Sequence, residues 1–105
     1  FSAHTSISMA KAAVEGLTVS LAAELSPKIR VNCIAPSLLE PPLAASLTSS
    51  ATLKQAISDT HPMKRLGRAD DAANLGEYLL TSQSSWMTGQ IIGIDGGRSS
   101  LSIKG

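Results

Sequence analysis

Lys11 is the first residue in this chain whose placement suggests chemistry. It lies near the start of a long helical pattern, where a cation gains nothing from the helix dipole. Glu15 follows it in the less favourable order for a pair four residues apart. A lysine set against local helix electrostatics is a candidate functional group, although a solvated surface lysine fits the same residues. Asp70 and Asp71 form the one adjacent carboxylate pair. Paired carboxylates can do acid–base work, but at a predicted helix start they serve the positive end of the dipole and the cap. Cys33 sits in an apolar run and reads as a core thiol. His4 and His61 have no cysteine or acidic companion at ligand spacing, so no metal is expected. No strand–glycine–helix order surrounds the glycines at 89, 93, 96 and 97, so they make no phosphate loop. Neither a Ser–His–Asp elbow nor a Walker loop is visible.

The elements that must position these residues follow from periodicity. Ile7, Ala10, Val14, Leu17, Leu21 and Leu25 draw one apolar stripe along a helix. Beside it run Ala12, Ala13, Gly16, Ser20 and Ala23, small enough to let another helix approach. Pro27 stops the helix. Ile29, Val31, Cys33 and Ile34 read as a strand buried on both faces, ended by Pro36. A proline loop follows, then weak or broken helix through Leu43, Leu47, Leu53 and Ile57, where serines and threonines compete for backbone hydrogen bonds. A turn at 59–62 and another at Gly67 lead to a helix from Asp70 to about Thr81. Its expected buried face is Ala72, Leu75, Gly76, Leu79 and Leu80, with Tyr78 structural. Trp86 and Met87 are expected to pack down before a second strand, Gln90 to Asp95, and a Gly96–Gly97 turn. Two strands joined by helical segments predict a right-handed parallel crossover.

The runs Ile7-Ser8-Met9-Ala10-Lys11-Ala12-Ala13-Val14-Glu15-Gly16-Leu17 and Arg30-Val31-Asn32-Cys33-Ile34-Ala35-Pro36 resemble the second half of a short-chain dehydrogenase/reductase. The runs Arg65-Leu66-Gly67-Arg68-Ala69-Asp70-Asp71 and Thr88-Gly89-Gln90-Ile91-Ile92-Gly93-Ile94-Asp95-Gly96-Gly97 match that family in the right order and spacing. The resemblance implies an α/β fold, the C-terminal part of a Rossmann-type doubly wound parallel sheet, with two parallel strands and about three helices. Residues 1–105 would form a single partial domain, with 98–105 a tail or a docking arm. Implied with it are NAD or NADP, a small carbonyl or alcohol substrate, and a homodimer or tetramer. The region after Pro36 would be a lid over the substrate. NAD versus NADP is chosen beside a strand outside these runs.

Carried over residue by residue, Lys11 takes the place of the lysine that holds the ribose hydroxyls and lowers the pKa of a tyrosine from near 10. The tyrosine's place is taken by Ile7, which cannot transfer a proton. Ser8 lies three residues before Lys11, but its hydroxyl is too weak an acid. His4 lies seven residues before Lys11, two turns along the same face, the spacing of the tyrosine in the enoyl-reductase branch. Histidine is a competent proton donor there, and a helix-start histidine without a role fits as well. Pro36-Ser37 stands where the family commonly has Pro-Gly, and Pro41 where it often has a carboxamide-binding threonine. Pro36 and Ser37 would flank the nicotinamide. The family's glycine-rich turn, catalytic serine and relay asparagine would precede Phe1. The reading is therefore a fragment of a nicotinamide-dependent oxidoreductase, inactive alone. Its alternative is a dinucleotide-binding or oligomerisation module without the proton donor.

Composition narrows the classes. With 105 residues, 43% hydrophobic and 16% charged, the chain suits one folded piece and not disorder. A net charge of +1 without aromatics in a basic patch argues against nucleic acid. Apolar runs are too short to span a membrane, and no signal pattern opens the chain. A single cysteine precludes an internal disulfide and makes the cytoplasm the expected compartment.

Overall fold

The computed structural model describes residues 3–40 and 50–102, and of residues 3 and 4 the backbone alone. The expectations for Pro41, Leu43, Leu47 and the chain end at 103–105 lie outside the described residues. In order come α1 (Ala3–Leu25), β1 (Cys33–Pro36), α2 (Ala51–Asp59), α3 (Ala69–Leu79), a single 3-10 turn (Ser82–Ser84) and β2 (Ile91–Ile94). The strands pair in parallel, as expected. Backbone bonds Cys33 N–H to Gln90 O at 2.8 Å and Ser37 N–H to Ile94 O at 3.1 Å fix one register along both. The chain groups into two units, Phe1–Ile34 with Glu77–Ile92, and Ala35–Gly76 with Gly93–Gly105.

In the first unit, α1 ends where Pro27 requires. Ser26 N–H still reaches Ala22 O, and Lys28 and Ile29 N–H both fold back onto Leu25 O. The helix buries a different line from the expected stripe. Thr18 and Ala22 are buried, Leu21 and Leu25 half-buried, while Ile7, Val14 and Leu17 are 53–57% exposed. The reason is what returns to the helix within this unit. Gly89 brings its backbone against Ala22, where a Cβ would sit 3.5 Å from the Ala22 Cβ, and Gly16 faces open space. Buried Thr18 satisfies its hydroxyl on Val14 O at 2.8 Å.

Arg30 does most of the tying. Its guanidinium donates to four carbonyls, Leu79 and Thr81 at the end of α3, Ser84 on the 3-10 turn and Met87 beyond it. Asn32 completes the join, donating to Met87 O and accepting from Gln90 N–H. With Ser84 and Met87 drawn inward, Trp86 between them is turned out and is 99% exposed. The expectation that Trp86 packs down is therefore wrong, although half-buried Met87 obeys it. Leu80, expected on the buried face of α3, is 88% exposed because it lies past the last helical turn, while Ala72, Leu75, Gly76 and Leu79 are half-buried.

The strand expected from Ile29 and buried on both faces begins only at Cys33 and includes Pro36; it is half-buried at Cys33, Ile34 and Ala35 and exposed at Pro36, and Ile29 before it is exposed. Each strand of a two-stranded sheet is an edge, so neither gains the flanking cover of a central strand.

In the second unit, Ser50 caps α2 by accepting from Leu53 N–H at 3.3 Å. Leu53 and Ile57, where weak or broken helix is expected, lie in this regular helix, and Ser50 starts it instead of interrupting it. Asp71 caps α3, accepting from Arg68 N–H at 2.7 Å in the manner of a capping box. This is the structural role expected for the acidic pair. After β2, Gly96 and Gly97 take φ of +59° and +89°, a turn that side-chain-bearing residues rarely adopt.

Candidate functional site

A cavity of about 410 Å³ opens in the second unit just beyond the carboxyl ends of β1 and β2. In parallel sheets this edge is where ligands bind, because the loops leaving the strands diverge there. Its walls come from Ser37 and Leu38 after β1, from His61, Met63 and Arg65 after α2, and from the Asp95–Gly97 turn after β2.

His61 is its most constrained side chain, only 1% exposed. The ring's Nδ1 lies 2.9 Å from Ile57 O, and its Nε2 lies 2.9 Å from Ser37 Oγ. A carbonyl can only accept, so Nδ1 carries a proton. In the neutral ring Nε2 is then bare and accepts the Ser37 hydroxyl proton. Thr60 Oγ1 donates to Ile57 O at 2.6 Å and sits 3.3 Å from Nδ1, a second acceptor for the same N–H. Sequence spacing leads into α2 and makes Ile57 and Thr60 local partners of His61. Ser37 is brought in by the end of β1, where its own N–H is bonded to Ile94 O.

Charged groups on the walls are paired. Arg65 holds Asp71 with Nη1 to Oδ2 at 2.9 Å and Nη2 to Oδ1 at 3.3 Å. That side-chain bond, with the Arg68 backbone N–H and the nearby charges, draws the Asp71 carboxyl from 3.8 down to about 2. The same bond raises the Arg65 guanidinium. Asp95 accepts from the Ser99 hydroxyl and from the Gly97 and Ser99 N–H groups, and these lower its pKa against the opposing effect of burial. The proximity of His61 lowers it further. Away from the cavity, Glu40 is lowered by its 2.6 Å hydrogen bond to Lys54.

The residues singled out in the sequence fall in different places. Lys11 lies exposed on α1 and takes part in neither of the two ion pairs among the described residues. His4 lies in the first turns of α1, its side chain outside the description. Ile7, at the tyrosine's place, is 55% exposed on the same helix. Pro36 is exposed at the end of β1, and Ser37, next to it, is half-buried on the cavity wall. Lys11 belongs to the first unit, and Pro36 and Ser37 to the second. Local sequence spacing gives no sign of His61 as a functional candidate, because its Ser37 partner stands 24 residues away. No group of three potential metal ligands occurs among the described residues.

Residues 1–99 match the protein family described as enoyl-(acyl carrier protein) reductase. The chain is 40% identical over 95 residues to nodulation protein G of Azospirillum brasilense, covering 90% of this chain and 38% of that protein. It is 37% identical over 95 residues to the 3-oxoacyl-(acyl-carrier-protein) reductase of Thermotoga maritima, with the same coverage of 90% and 38%. Among solved structures, ligand-free aldohexose dehydrogenase of Thermoplasma acidophilum superposes with a TM-score of 0.78 at 30% identity, over 92% of this chain and 43% of that one. A short-chain dehydrogenase/reductase of Mycobacterium ulcerans gives 0.74 at 39% identity, over 84% and 32%. The chain spans little more than a third of the length of the curated relatives it matches. From the match of residues 1–99, the parallel strand pair and these neighbours together, the chain belongs to the short-chain dehydrogenase/reductase family.

Proposed function

We propose that this chain is a piece of a nicotinamide-dependent oxidoreductase acting on a carbonyl or alcohol carbon, and that it is inactive by itself. The observation that carries the reading is the family match over residues 1–99, continuous through the lysine helix and both strands. NAD or NADP, when bound, supplies or accepts the hydride. The residues here fit part of that cofactor. Lys11 has its ammonium group in no ion pair among the described residues, so it is free to hold ribose hydroxyls. Pro36 offers an exposed apolar flank for the ring. Ser37 fits less well, because both its N–H and its hydroxyl are already bonded within the second unit. His4, at the seven-residue spacing from Lys11, is the proposed proton donor.

A second reading is favoured by Ile7. An exposed isoleucine at the tyrosine's place suits a member of the family that keeps the fold and has lost proton transfer. In either reading the chain assembles with copies of itself, since Ile7, Met9, Val14, Leu17 and Val19 leave an apolar helix surface 52–57% exposed.

One experiment tests both readings. Residues 1–105 replace the corresponding segment of the Thermotoga reductase, and NADPH oxidation is followed with 3-oxoacyl substrates. Turnover by the chimera supports an active site served by His4, and a further His4→Phe change should then abolish it. Turnover that appears only after Ile7→Tyr supports the non-catalytic reading. A folded chimera that binds neither NADH nor NADPH in either form overturns the oxidoreductase assignment.

A further inference from the structure

Ser37 is expected only to flank the nicotinamide, and its hydrogen bond to His61 has no part in the hydride and proton transfer proposed above, yet the pair has the parts of a nucleophilic centre. We propose that Ser37 is the nucleophile of a serine–histidine dyad that hydrolyses small carboxylic esters in the cavity beyond the strand ends.

Three features carry this. First, Ser37 Oγ and His61 Nε2 are 2.9 Å apart, a hydrogen-bonded nucleophile and base. Second, the base is oriented by a third group. Ile57 O holds the proton on Nδ1, as the acidic member does in a triad, so the bare nitrogen is the one that faces the serine. Third, the pair lines a cavity of about 410 Å³, room enough for a short acyl group and its alkoxide, with Leu38, Met63 and Ile94 as apolar wall. The strand end fixes the serine, since its backbone N–H is bonded to Ile94 O. His61 is nearly fully buried, which holds it in one orientation.

The reaction balances without any redox partner. The Ser37 Oγ–H proton passes to His61 Nε2 as Oγ bonds to the ester carbonyl carbon. The carbon–oxygen bond to the leaving alkoxide breaks, its electron pair staying on that oxygen, which takes the proton from His61. Water, deprotonated by His61, then attacks the acyl–serine ester. The acid is released and the proton returns to Ser37. Asp95 sets a carboxylate on the same cavity wall as the ring.

The test uses the 105-residue chain and two probes, p-nitrophenyl acetate and a fluorophosphonate that reacts with activated serines. The expected result is multiple-turnover release of p-nitrophenolate, falling about a hundredfold or more in Ser37→Ala. That variant leaves the His61 ring and its Ile57 bond in place, and its circular dichroism should match the parent. Peptide mapping should place the phosphonate on Ser37. Release that persists in Ser37→Ala, as surface lysines or free imidazole would give, overturns the proposal. So does a folded parent whose Ser37 takes no phosphonate. His61→Gln, which retains an amide nitrogen near the Ile57 carbonyl, should lose labelling at Ser37; undiminished labelling would remove His61 as the base.

Discussion

Asp71 carries two bonds at once, one to the Arg65 guanidinium and one to the backbone N–H that opens α3. Its carboxyl titrates near 2 in the folded chain against an ordinary 3.8. Because the folded value is depressed, the stability it contributes is complete above the ordinary value and is lost as pH falls through about 2. Asp71→Asn should therefore cost stability at pH 6 and progressively less as the acid end of that window is reached. Urea unfolding at a series of pH values checks this, and an equal cost at pH 6 and pH 2 would contradict it. The acidic pair was legible as a cap because the signal is local, two carboxylates before an apolar run. Ser37 with His61 was not legible. Each residue reads as loop punctuation beside a proline, and only the distant closure of β1 onto β2 puts them in contact.

At the scale of the elements, the helices and strands came through where their cause lies within a few residues. Pro27 ends α1, Gly96 and Gly97 turn the chain with positive φ, and α3 keeps its half-buried line except at Leu80. Failures arose where another element decides which face is covered, as for Ile7, Val14 and Leu17 on α1. Arg30, invisible to periodicity, joins the end of α3 to the approach of β2 through its four carbonyls. Lysine cannot reproduce that planar set of donors. Arg30→Lys should lower stability by about 2 kcal/mol in urea unfolding, the range for hydrogen bonds to a charged group. The glycines offer a sharper comparison. At Gly97 an added Cβ would lie 2.9 Å from Leu101 Cδ1 and 3.2 Å from Pro62 Cγ, on backbone with φ of +89°. At Gly67 the close atom is the tip of the Leu39 side chain at 2.7 Å, which can swing away. Gly97→Ala should cost about 1–3 kcal/mol and Gly67→Ala clearly less, read as two shifts in the same denaturation midpoint. Equal shifts would mean that contact, not backbone angle, governs that turn.

For the molecule as a whole, the family and the α/β class were readable because four separated motifs kept their order, a property of sequence alone. What sequence could not supply was how little of the apolar surface is covered. Ala22 is the one buried hydrophobic residue among those described, while five large apolar side chains of α1 stay more than half exposed. No described helix is long and apolar enough to cross a membrane. Sedimentation velocity at micromolar concentration should show dimers or larger species, and Leu17→Glu should shift them toward monomer. A monodisperse monomer at the outset would refute self-association. Trp86 makes such events visible by light. It is the chain's single tryptophan and stands almost wholly in solvent while the chain is folded. Its emission should be nearly as red in the native chain as in urea, so ordinary tryptophan fluorescence will barely register unfolding. A blue shift on raising the concentration or adding a partner would instead report that something has come to cover the 3-10 turn.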